Sequence, residues 1–121
     1  MNTNLVVAQH ERLLVQKQEE TEVHIARLQK DQRQDEANLL KARRNVFGNF
    51  RSALLAHAKQ GDGAIERYRE ILQKIHDSWC EAKDLAAKHN DVQRTAVEEI
   101  KLAAWKETMY LLDEKAGAYN A

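Results

Sequence analysis

Proline is absent from this chain of 121 residues, and glycine occurs only four times. These are the two residues that interrupt helices most strongly, so long stretches of backbone meet no obstacle to helix formation. Cysteine occurs once, as Cys80, which excludes an intrachain disulfide and accords with a reducing compartment. Aromatic residues make up only 6% of the chain. No apolar run approaches the ~18 residues that a membrane-spanning helix requires. The amino-terminal stretch MNTNLVVAQHERLL lacks the basic start and extended apolar run of a secretory signal. Charge of one sign is also missing: 19 basic residues balance 19 acidic ones. Nucleic-acid binders rely on an excess of positive charge to displace counterions, so no nucleic-acid partner is expected. The expectation is a protein that is soluble and cytoplasmic.

What is abundant is Ala, Leu, Glu, Lys, Arg and Gln, the strong helix formers. The fold class is therefore all-α. One apolar seam with steps of three and four runs through Ile25, Leu28, Leu39, Ala42, Val46 and Ala53, and Val7, Leu14 and the intervening Thr21 carry it upstream. A second seam, more regular, passes through Ile65, Tyr68, Leu72, Ile75, Trp79, Ala82 and Ala86, and a further face follows through Ala96, Val97, Ile100, Ala104, Leu111 and Leu112. Gly117 is the expected stop.

Two of the glycines flank one aspartate near the chain midpoint, in the stretch AHAKQGDGAIERY. Gly61 suits the left-handed position beyond a helix end, and Asp62 suits the cap of the next helix. The stretch reads as a reversal between antiparallel neighbours. Folding the chain at residue 62 sets Leu39 against Leu85, Ala42 against Ala82, Val46 near Trp79, Phe50 near Ile75, Ile25 near Ile100 and Leu14 near Tyr110. The two polar stretches, 29–36 and 88–95, also fall level with each other.

The predicted architecture is one helical domain: a long antiparallel, coiled-coil-like hairpin. Its arms span about 4–59 and 64–117, joined by a turn at 60–63, with a polar level at 29–36 and 88–95. Neither polar stretch contains glycine or proline, which favours continuous arms. The alternative is a compact single-chain four-helix bundle with segments near 4–29, 37–59, 64–88 and 92–117. Apolar doublets such as Leu13–Leu14, Leu39–Leu40, Leu54–Leu55 and Ile71–Leu72 make the apolar faces wider than a two-stranded seam uses. A lone hairpin would leave the second members wet. The long hairpin is therefore expected to self-associate, as a homodimer forming a four-helix bundle, or to bind another protein.

No catalytic constellation stands out. His76 and Cys80 share a helix face, but two ligands do not make a zinc site. Glu20 and His24 share a face in a polar segment, without the duplicated motif of a di-iron bundle. No metal or cofactor is expected. Asp35 and His89 face each other under the fold at residue 62 and form a candidate polar layer: a solvated waist, a register device, or a pH-sensitive pair. Lys41, Arg43, Arg44 and Arg51 form the densest basic run, within reach of Asp77 and Glu81.

The segment YLLDE, Tyr110 to Glu114, resembles the tyrosine-x-x-x-acid signal that follows the second helix of the type VII secretion WxG hairpins. The Trp-x-Gly turn of that family is replaced here by Gly-Asp-Gly. The resemblance implies a secreted helical-hairpin effector or its partner. The residues themselves point to a non-enzymatic interaction module, an adaptor, chaperone or assembly element, whose partner-binding face holds Leu13, Leu40, Leu55, Ile71 and Trp105. A third reading is a small helical-bundle binder or enzyme with a pocket among Phe47, Phe50, Trp79 and His76.

Overall fold

The computed structural model describes the backbone of residues 3–120 and the side chains of residues 4–114. Four helices follow one another: α1 (Thr3–Lys30), α2 (Gln34–Ala58), α3 (Ala64–Lys88) and α4 (Val92–Asn120). No strand occurs among the described residues. The polar stretches are surface turns rather than levels inside continuous arms, so the compact four-helix alternative describes the chain. Its segment limits fall within a few residues of the observed helices.

Each arm reverses without glycine or proline because two other residues adopt the left-handed conformation. Gln32 has φ of 61° and Asn90 has φ of 57°. In the first turn the Arg33 N–H donates to the Leu28 carbonyl at 2.8 Å and the Gln32 N–H to that of Gln29 at 3.1 Å. In the second, the Asp91 N–H donates to Ala86 at 2.9 Å and the Asn90 N–H to Ala87 at 3.1 Å. Both are the paired bonds of the Schellman helix stop, which satisfy carbonyls the helix end leaves free. Asn accepts this conformation readily, and Gln does so at some cost. Behind the first turn Ile25, Leu28 and Ala37 bury against one another, with Leu40 packed on them. At the second, the Asp91 carboxylate accepts the Arg94 N–H at 3.0 Å and caps α4.

The midchain turn lies where the sequence places it, with Gly61 at φ of 77°. The cap of α3 is Gly63, itself left-handed at φ of 81°, and not Asp62. Asp62 instead offers its carbonyl to the Arg67 guanidinium at 3.0 Å. At the far end, α4 continues past Gly117 to Asn120.

The two hairpins repeat one another at an offset of 58 residues. The turn bonds of Leu28–Arg33 recur at Ala86–Asp91. Buried Leu14, Leu28, Val46 and Leu54 correspond to buried Leu72, Ala86, Ala104 and Leu112. One core draws on all four helices: Val6 and Leu14 from α1, Phe47, Phe50 and Leu54 from α2, Ile65, Tyr68 and Leu72 from α3, Ala104 and Leu112 from α4. Each fully enclosed Leu or Phe stabilises the fold by about 1.5–3 kcal/mol relative to exposure. The Phe50 and Trp79 rings stack at 5.8 Å, within about a turn of the pairing that folding at residue 62 requires. The Lys17–Glu107 ion pair obeys the same register between α1 and α4.

Polar residues also occupy apolar register positions. Thr21 and Thr108 are buried, and each hydroxyl donates to the carbonyl one turn back, at 2.7 and 2.8 Å. His10 is fully enclosed and hydrogen-bonds Tyr68 across the diagonal between α1 and α3.

Candidate functional site

The doublets that made the apolar faces look too wide are shared among four helices of one chain. Leu13, Leu40, Leu55, Ile71 and Trp105 are all half-buried. Leu40 seals the first turn, and Trp105 packs on the central core. The Trp105 indole N–H donates to the Leu72 carbonyl at 2.7 Å, and its ring lies 4.2 Å from that of His76. Trp105 therefore ties α4 to α3.

Asp35 and His89 are solvent-exposed beside the two surface turns. Asp35 borders a small cleft with Gln93, Ala96 and Val97, while His89 lies beside Leu85 and Arg94. Phe47 and Phe50 are enclosed in the core, so the proposed aromatic pocket is filled by its own rings. The His76 ring nitrogens lie 3.7 and 3.9 Å from Cys80 Sγ, with Asp77 at 3.2 Å. No cluster of three or more potential metal ligands occurs among the described residues.

The basic run is dispersed by partners on α1 and α4 and not by Asp77 and Glu81. Arg44 pairs with Glu22 at 2.9 Å and Arg51 with Glu11 at 3.0 Å, while Arg43 grips Glu107. Glu98, 3% exposed, pairs with Lys101 at 3.0 Å, and that ammonium also lies 4.7 Å from the Trp79 ring centre.

An open groove of about 570 Å³ lies between α1 and α4. Lys17, Ala103, Lys106, Glu107, Tyr110 and Leu111 line it, and its surface is mostly apolar. On α4 the lining positions recur at steps of three and four, one stripe aside from the buried face of Ala104, Thr108 and Leu112. Tyr110 is 68% exposed. Both Tyr110 and Glu114, the pair resembling the WxG signal, are exposed one turn apart.

Glu107 is the electrostatic centre of the groove. Arg43 donates two hydrogen bonds to its carboxylate, and Lys17 Nζ lies 3.4 Å away. The Arg43 hydrogen bonds, reinforced by the charges of Arg43 and Lys17, hold the Glu107 carboxyl below its ordinary range despite partial burial. Sequence reasoning named Tyr110 and Leu111 but not the lysines or Glu107. Charged residues at the edge of an apolar face look like ordinary solvated surface until the partner helix is known.

The arrangement defines a class: a four-helix bundle of two repeated hairpins with an open apolar groove along one side. Compared with protein-family models, curated proteins and solved structures, the chain matches none of them. No helix among the described residues is long and apolar enough to cross a membrane.

Proposed function

We propose that the protein acts by binding another protein, as a non-enzymatic helical module of the adaptor, chaperone or assembly type. The observation that supports this reading is the α1–α4 groove with Tyr110 standing at its edge. Exposed apolar surface that the fold leaves uncovered is the usual mark of an interaction site, and an aromatic side chain is its commonest anchor. One member of the doublets Leu13–Leu14, Leu54–Leu55 and Ile71–Leu72 is buried in the core and the other is half-buried. The secreted-hairpin reading retains the exposed Tyr110 and Glu114, but its signature shape is a pair of helices and this chain folds into four.

The test is site-specific photocrosslinking in cells of the source organism. A benzophenone side chain at Tyr110 is expected to give a discrete protein adduct, lost on Ala103→Arg. The same probe at exposed Glu70 on α3 is expected to give none. Equal labelling from both positions, or no adduct from Tyr110, overturns the reading.

A further inference from the structure

The buried face of α1 divides in two. Val6 and Leu14 enter the main core, with His10 fully enclosed between them. Ile25 and Leu28 bury separately, with Ala37 at the first turn. Between Leu14 and Ile25 the one buried side chain is Thr21, and its hydroxyl donates to the Lys17 carbonyl of its own helix at 2.7 Å. Such back-bonding adds no tie to another helix and loosens the helix that makes it. The surface ties of this half include the Glu11–Arg51 and Lys17–Glu107 ion pairs, which contribute little where water reaches them. The amino-terminal half of α1 thus has a seam of its own and a weak joint at Lys17–Thr21.

His10 sits at the centre of that seam. As an imidazolium it would donate from both ring nitrogens. Nε2 meets the Tyr68 hydroxyl at 3.1 Å, but Nδ1 is enclosed with no hydrogen-bond partner. The surrounding charges do not compensate. On α3, Arg69 opposes the proton, and its guanidinium is bound by Asp113 of α4. Arg51 of α2 is bound by Glu11, the residue after His10. Both carboxylates are engaged by arginines, and neither is hydrogen-bonded to the imidazole. A buried cation with an unmet donor is costly, whereas water satisfies both nitrogens once this half of α1 lifts.

We propose that residues 3–16 form an acid-released arm: protonation of His10 lifts this half of α1 off the bundle about the Lys17–Thr21 joint, while the first turn holds the rest of α1 on α2. The released arm withdraws Val6 and Leu14 and bares the part of the core they cover, Tyr68 included. This inference stands without the interaction-module reading.

Amide hydrogen exchange of the full-length ¹⁵N-labelled chain tests it, with rates corrected for their intrinsic pH dependence. The amides of residues 8–14 are expected to share one opening constant. With His10 titrating at about 4 when buried and at 6.5 when open, that constant is expected to rise roughly 50-fold between about pH 7 and about pH 4.5. The amides of Ile25, Leu28 and Leu40 are expected to stay better protected than the arm at both values. His10→Leu and His10→Gln take up no proton and are expected to abolish the rise. The first keeps the site apolar and the second keeps a polar group for Tyr68, so whichever folds serves. Equal protection of arm and first turn at the lower pH means that the bundle opens as a whole and overturns the arm. A rise of the same size in the variants assigns the acid response to carboxylates such as Asp113 and overturns His10 as the trigger. No rise in the unsubstituted chain overturns both.

Discussion

The Nε2 atom of His10 lies 3.1 Å from the Tyr68 hydroxyl, and both side chains are fully enclosed. The rings meet edge to face, with centres 5.4 Å apart. His10 and Tyr68 occupy equivalent positions in the two hairpins, 58 residues apart, so the bond joins the repeats through the middle of the bundle. The other imidazole nitrogen, Nδ1, is buried without a hydrogen-bond partner.

Burial, assisted by the nearby Arg69 guanidinium, depresses the His10 pKa from 6.5 to about 4. Above 6.5 the imidazole is neutral in both folded and unfolded chains and contributes no pH dependence. Between 6.5 and 4 the unfolded chain binds the proton and the folded one resists it, so stability falls as pH falls. Below about 4 the loss levels off. The full loss is about 3 kcal/mol. Chemical denaturation across this range is expected to show the decline, and His10→Leu to remove that part of the slope. An unchanged slope in the variant places the titration elsewhere.

Tyr68→Phe removes the hydroxyl and leaves both imidazole nitrogens unpartnered. The expected cost is about 1–3 kcal/mol, measured as a shift in the denaturation midpoint at neutral pH. A neutral effect means the hydrogen bond is not formed in solution.

Trp105→Phe keeps an aromatic ring against His76 but loses the N–H that reaches the Leu72 carbonyl. A loss of about 1 kcal/mol is expected, the net worth of one hydrogen bond. A larger loss points to packing as the main role of the indole.

Gln32 holds a left-handed φ that Gly adopts freely. Gln32→Gly is expected to stabilise the fold by about 0.5–1 kcal/mol, net of the greater freedom Gly gains when unfolded. Asn90→Gly is expected to gain less, because Asn tolerates the conformation. A destabilised Gln32→Gly in thermal melts means the turn is shaped differently in solution.

A single bundle has a radius of gyration of about 14 Å, against about 23 Å for a rod made of two continuous arms. Small-angle scattering with light scattering is expected to return the smaller value and the mass of one chain, 14.0 kDa. A dimer mass restores self-association as the working state.

Much of the fold is legible in the chain. The seam from Ile65 to Ala86 lies on one inner face of α3, and folding at residue 62 foretells the level at which Lys17 meets Glu107. The groove is legible only in part. Tyr110 and Leu111 attract notice as aromatic and apolar residues, whereas Lys17 and Lys106 gain meaning from what lies across from them.

Periodicity and composition settled the helices, their inner faces and the midchain reversal, because these follow from local propensity and from side-chain spacing along one helix. Packing settled the number of helices. Whether 29–36 and 88–95 run straight or turn depends on a small local cost, the left-handed backbone of Gln32 and Asn90, set against burial among helices distant in sequence. The same balance admits His10 to the core. Its polarity argues for the surface in any local reading, and its place beside Tyr68 exists only once the two hairpins have closed on each other.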